Sequence, residues 1–161
     1  MKTEVAREVE RLDARIIYTL RRLRQPVSRV ALFIVFFWFG VLKLFDASPA
    51  NPLVQNLLEK TLPFISFDSF IIFFGCFEML IGILFLIKGA ERIAIPLLAA
   101  HMVTTTMPLV LLPAVTWSGF LIPTLEGQYI IKNIVIIALA IGLAAELHPL
   151  PHRALAAKKR A

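Results

Sequence analysis

Four long apolar runs, parted by short polar connections, take up most of the chain. A bilayer's hydrocarbon layer is about 30 Å thick and needs roughly 17–25 apolar residues per helical span. The runs Val30–Phe45, Phe70–Ile87, Ile93–Pro113 and Tyr129–Leu147 meet or approach that length, and Ser28 and Arg29 can extend the first on its polar side. Hydrophobic residues make up 58% of the 161 and the mean hydropathy is +0.79, which excludes an ordinary soluble domain. The expected fold is all-α: an antiparallel four-helix transmembrane bundle over 28–147, with spans at about 29–46, 70–88, 93–113 and 126–147. A cytoplasmic amphipathic helix over 1–27 precedes it, and a basic cytoplasmic tail over 148–161 follows.

The basic residues set the expected orientation. Eight of the 17 Lys and Arg precede or open the first span, from Lys2 to Arg29. Lys88 and Arg92 sit between spans 2 and 3, and Arg153, Lys158, Lys159 and Arg160 follow span 4. Excess Lys and Arg mark the cytoplasmic side, so both termini are expected inside and the longer connections outside. The net charge of +6 and pI near 9.9 could suggest nucleic acid. These charges flank membrane spans, however, so anionic lipid headgroups are the expected partner and nucleic acid is not. The first apolar run starts too late, and lacks the small-residue site, for a cleavable signal peptide.

Val5, Val9, Leu12, Ile16, Leu20 and Leu23 recur at spacings of three and four, one apolar stripe on a helix that Pro26 is expected to end before span 1. Such a basic amphipathic helix can lie in the membrane interface or dock a partner subunit through a heptad-like seam. In the first outside connection, Leu53 to Leu62 reads as a short surface helix closed by Pro63. In the second, Trp117 reads as an interface anchor and Thr124 as the N-cap of span 4. Span 3 carries Pro96 and Pro108, with a kink expected near Pro108 and Thr104, Thr105 and Thr106 able to satisfy backbone or other helices. Ala138, Ala140, Gly142, Ala144 and Ala145 suit close helix contact in span 4. Cys76, the only cysteine, excludes an intramolecular disulfide and reads as a small buried core residue.

Ionisable groups at membrane depth cost about 2.5–3.5 kcal/mol each on insertion scales, so each needs a reason. Glu78 and His101 lie mid-span in adjacent antiparallel helices at similar depth and can meet if their faces turn together. Lys43, Glu126 and Lys132 lie nearer the outer face. Two readings stay open. In one, Lys43 and Lys132 snorkel outward, Lys43 pairs with Asp46, Glu78 is a neutral acid, and His101 bonds a helix carbonyl. In the other, Trp38, Lys43, Glu78, His101, Trp117, Glu126 and Lys132 line one polar pocket able to hold a quinone headgroup. There Glu78 and His101 handle protons, Lys43 and Lys132 hold a carbonyl or anionic group, and Trp or Phe packs the quinone ring. His101 is the only histidine within a span, since His148 and His152 lie at the far end, which argues against bis-histidine haem. No Cys, His or carboxylate cluster suggests a metal site, and no phosphate-binding glycine loop, HExxH or GxSxG pattern occurs.

Phe37-Trp38-Phe39-Gly40-Val41-Leu42-Lys43-Leu44-Phe45 with Ser48-Pro49 resembles the first span of the DoxX-like membrane proteins. Phe77-Glu78-Met79-Leu80-Ile81-Gly82, His101-Met102 with Thr104 to Pro108, and Thr124-Leu125-Glu126-Gly127-Gln128-Tyr129 through Lys132-Asn133 are similar to its YkgB-like, reactive-chlorine-resistance branch. The resemblance covers roughly residues 28–146 and implies a four-helix bundle of the bacterial inner membrane, associated with quinone, redox or oxidative-stress chemistry. A thiol-based quinone reductase is disfavoured by the lone Cys76. The expected function is therefore a quinone- or redox-linked membrane subunit. The alternatives are a non-catalytic accessory subunit of a larger membrane complex, docking through residues 3–24, or a small stress-related transporter working as a homo-oligomer.

Overall fold

The computed structural model describes residues 2–147, with side chains from residue 4 onward. The expected tail, with His148 and His152, lies outside the described residues. The chain is mostly helical: α1 (Lys2–Leu44), α2 (Asn51–Thr61), α3 (Phe67–Leu86), α4 (Glu91–Thr106), α5 (Pro108–Leu111), α6 (Pro113–Thr116) and α7 (Leu125–Ala144). A two-stranded antiparallel hairpin, β1 (Trp117–Gly119) and β2 (Ile122–Pro123), precedes α7, a small departure from the all-α expectation. Four helical stretches, in α1, α3, α4–α5 and α7, are long and apolar enough to cross a membrane, the pattern of a multi-pass membrane protein.

Pro26 does not end the first helix. It sits inside a continuous 43-residue α1, so 1–27 is the first half of that helix and not a separate unit. A proline deletes one ladder bond, and the strong helix formers on either side, Leu20 to Arg24 and Ala31 to Leu32, carry the helix through it. The stripe from Val5 to Leu23 is exposed along its whole length.

The second half of α1 packs chiefly on α3. Gly40 faces Gly75, while Gly82 faces Phe33 and Phe37, so the pair runs antiparallel. A Cβ on Gly40 would lie 2.6 Å from the Gly75 carbonyl oxygen, and one on Gly75 would lie 2.9 Å from that of Gly40. The two backbones approach this closely only because both positions are glycine. The small residues of α7 do not play that part: Ala140 is buried, but Ala138 and Ala145 are exposed and Gly142 meets nothing within 4 Å. Cys76, expected in the core, is exposed, because the buried face of α3 is set by Gly75, Glu78 and Gly82.

Leu32 and Phe36 of α1, Ile81 and Phe85 of α3, Ala94, Leu98 and Met102 of α4, and Ala140 and Leu143 of α7 form one apolar core. Gly89, at φ +91°, makes the tight turn between α3 and α4. The helix of α4 runs through Pro96 and is interrupted at Met107, just before Pro108. Thr105 and Thr106 donate to the carbonyls of His101 and Met102, both at 2.8 Å, so they bond back one turn in their own helix. Thr124 caps α7 as expected, its hydroxyl accepting from the Gly127 N–H at 3.2 Å.

Candidate functional site

Three residues from three helices meet inside the core. Lys43 of α1, Glu78 of α3 and His101 of α4 are 5%, 5% and 4% exposed. Glu78 is the bridge. Its Oε2 accepts from Lys43 Nζ at 2.6 Å, and its Oε1 lies 2.9 Å from His101 Nε2. His101 Nδ1 in turn lies 3.1 Å from the Thr105 hydroxyl. Lys43, Glu78, His101 and Thr105 thus form one hydrogen-bonded chain.

Local structure explains the meeting. Helical side chains lean toward the N-terminus of their own helix. Lys43 stands one residue before the end of α1, so its stem runs back into the bundle. Glu78 leans the other way along antiparallel α3, toward Lys43. The slot between them is the Gly40–Gly75 contact, where the Lys43 Cβ passes beside Gly75. Outward snorkelling and pairing with Asp46 are therefore corrected: the Lys43 ammonium turns inward, and Asp46 Oδ1 accepts from Asn51 Nδ2 at 2.7 Å instead.

Aromatic rings wall the histidine. Phe74 stacks on the imidazole at 5.0 Å with 7° between planes, and Phe36 meets it edge-on at 5.2 Å. The Lys43 ammonium also lies 5.5 Å from the centre of the Phe74 ring. An ammonium, a carboxylate and a neutral imidazole sum to zero charge, the arrangement that low-dielectric surroundings favour. In that state Nε2–H donates to Glu78 and Nδ1 accepts from Thr105. When the Thr105 hydroxyl instead donates to the His101 carbonyl, 2.8 Å away, Nδ1 must carry hydrogen to complete the bond. Neutral His101 then presents a bare Nε2, so the Glu78 contact needs one more proton, on the acid or on the imidazole. The two hydrogen-bond arrangements of the chain thus differ by one proton and by the direction of the Thr105 hydroxyl.

Glu78 and His101, expected to meet if their faces turned together, do meet. The wider pocket is not assembled. Trp38 is 63% exposed on the outer face of α1. Trp117 is half-buried, its indole N–H donating to the Leu109 carbonyl at 2.9 Å. Glu126 and Lys132 are exposed, and Lys132 lies over the Tyr129 ring at 5.0 Å. Trp38, Glu126 and Lys132 sit on helix faces that hydropathy alone does not orient, and Trp117 lies in β1. Thr105 was missed as a site residue, although its spacing of four from His101 puts both on one face.

A second ion pair was also missed. Arg29 of α1 pairs with Glu91 at the start of α4, where the Glu91 residue is 3% exposed. Arg29 had read as the polar end of span 1, and α4 starts at Glu91, two residues before its apolar run. An apolar groove of about 310 Å³ runs between α4 and α7, lined by Leu98, Met102, Val103 and Thr106 with Ile137 and Ala140. It passes Met102, the neighbour of His101, without reaching the polar chain itself. Among the described residues no group of three or more His, Cys, Asp or Glu could hold a metal ion. No family model, curated protein or solved structure matches the chain.

Proposed function

We propose that this protein is a four-helix antiparallel bundle of the bacterial inner membrane, both termini cytoplasmic, acting as a membrane subunit in quinone-linked redox chemistry. The observation that carries the reading is Glu78, a carboxylate buried among apolar helices and bridging an ammonium and an imidazole. Intramembrane charges of this kind belong to proton relays and ligand sites more often than to plain packing. The donor set suits a quinone. Lys43 has three N–H donors, one of them given to Glu78, so it can also hold a carbonyl. The apolar α4–α7 groove beside Met102 suits an isoprenoid tail. A bound quinone would supply two-electron chemistry that consumes protons. The protein's part is to hold the ring and to keep one proton at Glu78 or His101, passed along the Thr105 hydroxyl. The DoxX-like resemblance of residues 37–45 and 124–133 supports the redox association.

Native mass spectrometry of the protein, extracted from its own membrane in mild detergent, tests this. A bound mass matching a quinone, reduced in Glu78→Gln, is expected. Equal quinone retention by wild type and variant removes Glu78 from the site.

The exposed stripe from Val5 to Leu23 favours a second reading, an accessory subunit that docks a larger complex through the first half of α1. Co-purifying polypeptides lost on deletion of residues 3–24, with no quinone mass, would select it.

A further inference from the structure

From Met102 to Leu125 the sequence holds no charged residue and no histidine. This stretch contains the interruption at Met107, both short helices and the hairpin, so its backbone is irregular over most of its length. Connections in water are ordinarily polar, whereas here Val110, Phe120, Leu121 and Ile122 are 79%, 91%, 73% and 60% exposed. Irregular backbone in a membrane must find its hydrogen bonds within the protein.

Much of the bonding of this stretch is made within the protein. Pro108 and Pro113 have no N–H to give, and side chains take over the carbonyls around them. Trp117 Nε1 donates to Leu109 at 2.9 Å, and Lys60 of α2 donates to Leu111 at 2.6 Å. The Thr116 hydroxyl, wholly buried, lies within reach of the Leu112 carbonyl at 3.1 Å. Thr124 Oγ1 donates to Val115 at 2.7 Å, and its N–H donates to Thr116 at 3.0 Å. Ser118 closes the hairpin on the Ile122 carbonyl at 3.2 Å. At the tip Leu121 holds φ +56°, a conformation disfavoured for a bulky residue, with Phe120 and Leu121 both turned outward.

We infer that residues 107–124 are embedded in the bilayer, with the Phe120–Leu121 tip seated among lipid acyl chains of the leaflet at this end. The occupant is lipid because the exposed residues of the tip are apolar and uncharged, and exposed apolar residues recur along α7 at Leu125, Ile134 and Val135, each over 60% exposed, with Glu126 and Lys132 as the charged exposed residues of that helix. The inference rests on the four helices crossing the membrane and is independent of the redox reading.

The test is spin-label accessibility in lipid nanodiscs. In a Cys76→Ala background, the full chain is labelled in turn at Phe120→Cys, at Ile134→Cys as the lipid reference and at Lys88→Cys as the water reference. All three positions are exposed, so labelling leaves the core intact. The label at 120 is expected to collide with dissolved oxygen and to lose collisions with a water-soluble nickel chelate, as at 134. Nickel collisions matching position 88 would overturn the inference. Protection from both reagents would overturn it too, placing the tip against protein. Nickel collisions at 134 itself would instead refute the membrane-spanning reading.

Discussion

Two buried ion pairs anchor α1, and they are built differently. At Lys43–Glu78 each carboxylate oxygen has its own partner, and the imidazole that completes the cluster is bonded on both nitrogens. At Arg29–Glu91 the pair stands alone, with Arg29 Nη1 and Glu91 Oε2 lacking hydrogen-bond partners among the described residues. The Arg29 side chain keeps 16% exposure near the end of the apolar core, whereas that of Lys43 keeps 5%. A third pair, Arg24–Glu146, lies farther along the same helix and is 59% and 37% exposed. The contrast separates two uses of charge. Arg24–Glu146 links α1 to the residues just after α7 where both side chains reach water, and Arg29–Glu91 fastens α1 to α4 at the edge of the core, with Arg29 partly exposed and Glu91 buried. Lys43–Glu78–His101 completes a polar network where nothing outside the protein can substitute for a lost partner.

The largest effect is expected deep in the bundle. Glu78→Leu strands the Lys43 ammonium and should cost about 3–5 kcal/mol, the usual penalty for breaking a buried pair. The triple variant Lys43→Met, Glu78→Leu, His101→Phe should regain most of that stability, because a well-packed apolar replacement removes the stranded charge. Reversible unfolding in mixed micelles reads both. A triple variant as unstable as the single would mean that packing, not charge, dominates the site.

Gly40→Ala comes next. Its Cβ would meet the Gly75 backbone and push α1 off α3, with a cost of about 1–3 kcal/mol from overpacking. If that variant unfolds like wild type, the glycine slot does not set the Lys43–Glu78 geometry. Glu91→Gln keeps the shape but removes a charge whose partner can still reach solvent. Its expected loss of about 1–3 kcal/mol lies below that of Glu78→Leu. A loss equal to that of Glu78→Leu would erase the distinction between the two sites. Arg24→Ala should change stability by at most about 1 kcal/mol, as exposed pairs do, and the change should shrink further at high salt.

Much of the helical plan was legible because span length and composition answer to one solvent, the bilayer. The apolar runs found all four long helices, and Glu78 and His101 could be placed at one level of neighbouring helices because helical rise fixes position along the axis. Rotation about each helix axis was not legible. It decides that Lys43 turns inward while Trp38, Glu126 and Lys132 turn outward, and it follows from Gly40 meeting Gly75, a contact between distant segments. Pro26 misled for the opposite reason: a local breaking signal was outweighed by the helix formers around it. The hairpin before α7 carried no strand pattern, since its two and three paired residues are too few to show alternation.

The central claim, that Glu78 and His101 hold a proton used in quinone chemistry, is tested most directly by reduced-minus-oxidised infrared difference spectroscopy. Wild type and Glu78→Gln would be compared in nanodiscs containing a quinone. The expected result is a carboxyl band, with accompanying imidazole bands, that appears on reduction in wild type and is absent from the variant. Identical difference spectra from the two proteins would contradict the claim and leave the triad as a structural clasp.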